Sequence, residues 1–480
     1  MRISRLLALG AALALVVSAC GRDDEEPIAN SSTAPGITTT SPTTPGAAGL
    51  DEGGFGDLGV VCSPAPAGAA LADSDVGVTA DSIQVSTFSD AGFPGRPGLN
   101  QELFDTAEAF SSWCNEHGGI NGRRIELQLR DAMLTQFQQR VIEACDEGDF
   151  MMVGGGAAFD DTGQTERLAC GLPTVAGYVA TAAATEGDLT AQPVPNPSKY
   201  LAAGDLVWLG EQYPDSTEHI GSITADINTT AVIAERYKDG AEQLGWTVVY
   251  DDQYPAAGVS SWRPYIENMK SKGVRGLFWT GEPVNLAKLL VEARAVGLDF
   301  DWVRTDSNNL DLKLLEEAGA DADGLHIRSV FAPFLGDTAE PGSASAQYRE
   351  LIERYDEGGA QALLGVQGLS GWLLFATAAR DCGADLTRDC VFANIQQNTE
   401  WSGGGLHAPI DLAAGRGPDC FNLFLVAEGE FTLADIAPNN GIFNCNAANT
   451  LELDGDYGTG AKCPNPAYAD DPKPSNCSEE

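Results

Sequence analysis

The chain has 480 residues, room for two or three domains of ordinary size. Hydrophobic residues make up 43% and charged residues 20%, enough apolar material to bury real cores. Asp and Glu outnumber Lys and Arg by 69 to 28, a formal charge of −41. Such acidity excludes nucleic acid and anionic lipid as electrostatic partners, but not a covalent membrane anchor.

The first residues read as a targeting segment. Arg2 and Arg5 form a basic start, Leu6–Val17 is an apolar run, and Ser18, Ala19 and Cys20 follow. A basic start, a short apolar core and small residues at the cut describe a secretory signal peptide, and the run is short for a membrane span. Val17-Ser18-Ala19-Cys20 also resembles a bacterial lipobox. That resemblance implies cleavage after residue 19 and a lipid on Cys20, hence a protein tethered to the outer side of the cell membrane. Residues 20–75, rich in Pro, Gly, Ser, Thr and Ala, read as a flexible stalk.

The eleven cysteines fit an oxidising compartment. With Cys20 set aside, an even number remains, and pairing is favoured over metal: CxxC is absent and the four histidines are scattered. No metal or other cofactor is expected. Spacing does not fix the connectivity. Short loops suggest Cys382–Cys390, Cys420–Cys445 and Cys463–Cys477; Cys145 and Cys170 each precede an apolar strand, and Cys62 and Cys114 remain for each other.

From residue 76 onward, strand and helix patterns alternate. Strands are expected at Ser82–Phe88, Arg124–Arg130, Phe150–Val153 and Leu172–Ala176, with helices at Leu99–His117, Thr135–Cys145 and Thr162–Ala169. A second series places strands at His219–Ala225, Thr247–Tyr250, Val274–Thr280 and Trp302–Thr305. Its helices fall at Thr229–Leu244, Arg263–Lys272, Val284–Val296 and Leu310–Glu317. Alternation of this kind predicts an α/β fold with two doubly wound parallel-sheet lobes.

Catalytic motifs are absent: no GxSxG, HExxH, Walker-type loop or EF-hand loop occurs. Gly154-Gly155-Gly156 lacks dinucleotide spacing and reads as a place where backbone comes close to something. Gly368-Leu369-Ser370-Gly371 fails the nucleophile-elbow spacing and reads as a tight helix-packing site. No enzymatic activity is expected.

Gly77-Val78-Thr79, the run Asn115-Glu116-His117-Gly118-Gly119-Ile120-Asn121-Gly122-Arg123-Arg124-Ile125-Glu126-Leu127 with Asp131, Val153-Gly154-Gly155 and Gly171-Leu172-Pro173 carry a family likeness. The chain resembles the type I solute-binding proteins of ABC importers, in the branched-chain amino acid, leucine-binding-like group. The resemblance implies a Venus-flytrap body of two discontinuous lobes joined by a hinge. Lobe one is expected at 76–197 plus 323–407, lobe two at 198–322 plus 408–445, and a disulfide-stapled polar tail at 446–480. Expected partners are a small-molecule ligand and the permease and ATPase subunits of an importer, with the protein itself a monomer.

Ligands of parallel sheets sit at the carboxyl ends of strands. That rule selects Ser89, Asp90, Phe93, Phe159, Asp160, Gly177, Tyr178, Thr181, Asp226, Asn228, Trp279, Thr280, Glu282 and Asp306 as candidate ligand-binding residues. The loops hold many aromatics and acids and, apart from Arg96, no cation. They favour a neutral, zwitterionic or cationic ligand with an apolar part, such as an amino acid, an amide, an amine or an aromatic compound. Tyr178 and Trp279 are expected to face each other across the ligand, with Asp306 taking an ammonium. The same fold also serves as a sensory ligand-binding module, which stays open as the alternative to import.

Overall fold

The computed structural model describes residues 49–335, 339–340 and 342–464. Cys20, the signal segment and Cys477 lie outside them. Two parallel sheets carry the fold. The first contains β1 (Ser82–Ser89), β2 (Arg124–Asp131), β3 (Met151–Val153), β4 (Thr174–Val175) and β5 (Thr190–Ala191), in the order β2-β1-β3-β4-β5. Its sequence neighbours are α1 (Gln101–Glu116), α2 (Phe137–Glu147), α3 (Gln164–Ala169) and α4 (Ala182–Thr185).

The second series begins with β6 (Tyr200–Ala202) and α5 (Gly204–Gln212). It continues through β7 (Ile220–Asp226), α6 (Asn228–Gln243), β8 (Val248–Pro255), α7 (Arg263–Lys272), β9 (Gly276–Thr280), α8 (Pro283–Ala295), β10 (Trp302–Asp306), α9 (Leu312–Ala318) and β11 (Leu325–Ser329). The chain then forms α10 (Ala344–Tyr355), α11 (Leu363–Cys382) and α12 (Arg388–Gln396), before β12 (Cys420–Ala427), β13 (Glu430–Leu433), β14 (Asn444–Cys445) and β15 (Thr450–Glu452). The second sheet runs β13-β12-β11-β10-β9-β7-β8, with β14 paired to β12. Strands β7 to β11 pair in parallel, and β12 and β13 close one edge antiparallel.

Apolar periodicity explains why these segments settle as they do. In α1, Leu103, Phe104, Ala107, Phe110, Trp113 and Cys114 form one buried face. β9, with the sequence GLFWT, is buried throughout, as a central parallel strand should be. The turn after α1 needs its glycines: Gly119 has φ of 77°, and a Cβ there would lie 2.0 Å from the Arg123 carbonyl oxygen. Arg123, fully buried, then donates to the carbonyls of Thr79, Ala72, Gly383 and Ala384. This arginine ties the turn to α11 and to the segment preceding β1.

The two glycine motifs meet each other. A Cβ on Gly368 of α11 would lie 2.8 Å from the Gly154 carbonyl oxygen, so helix and strand end touch backbone to backbone. Ser370 of the same motif is not a nucleophile in a cleft. It is buried, accepts from Trp401 Nε1 at 3.0 Å and lies 2.9 Å from His407 Nε2. His407 Nδ1 faces the Ala408 carbonyl at 2.8 Å, which can only accept; Nε2 is thus the acceptor for the serine hydroxyl.

Three expected boundaries move. Residues 49–75 are not part of a free stalk: Leu50, Phe55, Val61 and Cys62 are buried in the core, Cys62 is bonded to Cys114 of α1, and Trp113 Nε1 of α1 donates to the Leu50 carbonyl at 2.9 Å. Residues 323–329 belong with the second lobe, because β11 pairs between β10 and β12. The start of the tail is folded too, since β15 pairs antiparallel with β6 and Leu453 is buried.

Disulfides join Cys62 to Cys114, Cys145 to Cys170, Cys382 to Cys390 and Cys420 to Cys445. Cys463 is disulfide-bonded as well. Among the described residues, no helix is long and apolar enough to cross a membrane.

Candidate functional site

Between the two sheets lies a cavity of about 230 Å³. One wall comes from the first lobe: Leu99 and Asn100 before α1, Ala158 after β3, Tyr178 and Val179 after β4, and Leu363, Leu364 and Gln367 of α11. The opposite wall comes from the second lobe: Ala225 at the end of β7 and Ile227 after it, Thr229, Ile233, Arg236 and Tyr237 of α6, Trp279 to Glu282, Asp306 to Asn308, and Arg328. Crossing segments close the back, with Val194 to Pro197 on one and Val330 and Phe331 on another. Two of the crossings run side by side, Ala332 N–H donating to Leu406 and Ala408 N–H to Val330.

The lobes touch across the mouth. Arg96 pairs with Glu282 at 2.8 Å, and Asn228 Nδ2 donates to Asp161 Oδ1 at 2.7 Å. Thr229 N–H reaches the Ala158 carbonyl at 3.4 Å, and the Tyr178 hydroxyl bonds Thr229. Burial pushes that phenol above its ordinary range.

Five of the residues selected from strand ends line the cavity: Tyr178, Trp279, Thr280, Glu282 and Asp306. Several of the others hold the loops in place. Ser89 donates to the Asn100 carbonyl at 2.7 Å. Asp90, fully buried, accepts from Leu134 N–H at 2.7 Å and Ala158 N–H at 2.8 Å; burial raises its carboxyl. Asp160 accepts from Ala180 N–H at 2.6 Å and from the Thr181 hydroxyl at 2.5 Å, and burial pushes it up to about 7. Both carboxylates therefore serve as anchors for loop backbone, as does Thr181. A Cβ on Gly177 would lie 2.5 Å from the Gly154 carbonyl oxygen. Phe93 and Phe159 are partly buried against the core, Asp226 is exposed, and Asn228 faces Asp161.

Trp279 and Asp306 differ from their expected roles. Trp279 is 1% exposed and stacks on Tyr254 at 5.1 Å, with Trp262 edge-on at 5.5 Å. It is a core residue that also borders the cavity. Asp306 is taken up by its own lobe. Arg304 Nη1 and Nη2 donate to its two oxygens at 3.1 and 3.0 Å, and the Tyr237 hydroxyl donates at 2.9 Å. Arg304 itself lies 3.8 Å over the Tyr237 ring and bonds Asp205 at 2.6 Å. Burial opposes its charge, but Asp205 and Asp306 more than offset that and raise its pKa.

The loops carry few cations, but the wall carries two that the loops did not reveal. Arg236 sits inside α6 and Arg328 inside β11. A signal for Arg236 existed: Thr229, Arg236, Tyr237 and Gly240 fall on one buried face of α6. Arg328 lies in a strand whose pattern His326-Ile327-Arg328-Ser329 is too polar to stand out.

A family model described as periplasmic binding protein matches residues 97–430. The chain belongs to the periplasmic binding protein family. The binding protein shares its fold with a fatty acid ABC transporter substrate-binding protein from Thermomonospora curvata. That comparison gives 16% identity, covers 79% of this chain and 99% of that one, and has a TM-score of 0.63. A second is LivJ from Streptococcus pneumoniae in complex with isoleucine: 14% identity, 74% and 99% coverage, TM-score 0.60. A leucine binding protein from Thermotoga maritima matches at 14% identity, 73% and 97% coverage, with a TM-score of 0.58. A comparison with curated protein sequences finds no match. The role of the binding protein is thus capture of a solute on the extracytoplasmic side.

Proposed function

We propose that this protein is the lipid-anchored receptor of an ABC importer, taking up a small solute with an apolar body between its lobes and passing it to a permease driven by an ATPase. The observation that carries the reading is the cavity itself. It lies at the carboxyl ends of strands from both sheets, is walled largely by apolar side chains, and is bridged at its mouth by Arg96–Glu282 and Asn228–Asp161. Hinge closure around a solute supplies all the work such a receptor does. Solved structures of this fold whose titles mention a fatty acid, leucine and isoleucine agree with an apolar body. Cys20 is the anchor in this reading, and the protein acts as a monomer.

The test is a thermal-shift screen of the folded protein, since a ligand that binds only the native state raises its stability by RT ln(1 + [L]/Kd). Tyr178→Ala is measured beside the wild type. The reading expects a stabilising compound whose effect Tyr178→Ala weakens. Stabilisation that survives both Tyr178→Ala and Thr280→Ala would place the ligand elsewhere.

A further inference from the structure

The cavity wall is electrically lopsided. Arg236 is 4% exposed; its Nη2 donates to Asn196 Oδ1 at 2.9 Å and to the Tyr200 carbonyl at 2.6 Å. Its Nε and Nη1 are buried without a hydrogen-bond partner. Arg328, half-buried, leaves Nε and Nη2 in the same condition. Orphaned donors on a charged, buried group are costly, and pairs of them on one wall call for an explanation.

The acids nearby do not supply it. Asp306, opposite Arg328 in the β10–β11 register, is occupied by Arg304 and Tyr237. Asp205 is bonded to Arg304, and Glu186 bonds the Ser198 amide and hydroxyl. Glu282, the other acid lining the cavity, pairs with Arg96. The wall thus presents two cations without a matching anion and no carboxylate free to receive an ammonium.

We infer that the solute is an apolar carboxylic acid without an amino group, its carboxylate held by Arg236 and Arg328 on the second lobe and its body lying against Tyr178, Val330, Phe331 and Leu363. A guanidinium is weakly hydrated and matches a carboxylate in two parallel hydrogen bonds. The apolar residues lining the rest of the cavity favour an organic acid over an inorganic anion. This inference rests on the reading of the cleft as the ligand site.

The experiment titrates the protein calorimetrically with 4-methylpentanoate, octanoate and benzoate. Beside them go 4-methylpentanamide, 3-methylbutylamine, leucine and inorganic phosphate. At least one acid should bind tenfold or more tighter than the amide, the amine, leucine and phosphate. Arg328→Met and Arg236→Met should each weaken that acid tenfold or more. The Arg328 side chain makes no hydrogen bond among the described residues, so Arg328→Met should melt, without ligand, no lower than the wild type. Failure of all three acids to bind overturns the inference, as does an acid affinity unchanged in both variants. Binding of leucine or the amine that Tyr178→Ala removes would overturn the inference and leave the cleft as the site. Binding of any compound that no cleft substitution disturbs would overturn both readings.

Discussion

Trp279 makes the sharpest prediction about what holds the cavity wall. Its ring is fully buried, stacked on Tyr254 at 5.1 Å and met edge-on by Trp262 at 5.5 Å. Truncating a buried Trp to Ala costs about 3–5 kcal/mol, and each lost aromatic pair adds about 0.5–1.5 kcal/mol. Trp279 Nε1 is buried without a partner, so removing it also removes a polar burden. The net loss should therefore fall at about 3–4 kcal/mol. At about 2 °C per kcal/mol for a large domain, the ligand-free melting temperature should drop by roughly 6–8 °C in Trp279→Ala. Trp279→Phe keeps the Tyr254 stack and should lose about half as much. Differential scanning calorimetry on the ligand-free protein decides it. An unchanged melting temperature would refute the reasoning and make Trp279 a ligand face alone.

Breaking the cross-cleft pair with Arg96→Ala or Glu282→Gln should weaken ligand binding about two- to fivefold, mostly through faster release, because both partners are partly exposed; stopped-flow kinetics at low and high salt would show it, and a loss that ignores salt would argue against an ionic latch. Cys20→Ala should shift the protein from the membrane fraction to the soluble one or leave its precursor unprocessed, while unchanged partition in detergent extraction would remove the anchor. Burial lowers the pKa of His407 to about 4, below the usual value of 6.5. A neutral native histidine contributes stability above pH 6.5 that is lost as the pH falls from 6.5 towards 4. The stability difference between wild type and His407→Asn should therefore shrink across that window in urea unfolding; a difference independent of pH would mean that His407 titrates alike in the folded and unfolded chain, and one that grows as the pH falls would mean that it is held charged in the fold.

Much of the architecture is legible because buried faces leave a period. The face of α1 and the apolar runs that became β3 and β9 announce themselves, and the glycine turn at 118–122 follows from positive φ at Gly118, Gly119, Asn121 and Gly122. Segments without a period stayed hidden. Leu50, Phe55 and Val61 are buried from an irregular Gly-rich stretch that follows neither a strand nor a helix repeat. β11 carries polar His326 and Ser329 on its buried pattern and shows no apolar run.

The site was half legible for a related reason. Strand ends lead to Tyr178, Thr280 and Glu282, but they say nothing about which acids are already paired. Asp306 looks free in sequence and is bound by an arginine two residues away, an in-strand i, i+2 pair on one face of the sheet. Arg236 approaches the cavity from the middle of a helix, where a strand-end rule does not look, and Arg328 comes from the carboxyl end of β11, level with Asp306, in a strand the apolar pattern does not announce.

The most direct test of the account is a crystal structure of the protein grown with the compound that stabilises it most in the screen. The account predicts that compound in the cavity between the sheets, touching Tyr178 from one lobe and the Thr280–Glu282 segment from the other, with the Arg96–Glu282 bridge closed over it. A compound bound outside the cleft, or bound with the lobes apart and only one of them in contact, would contradict it.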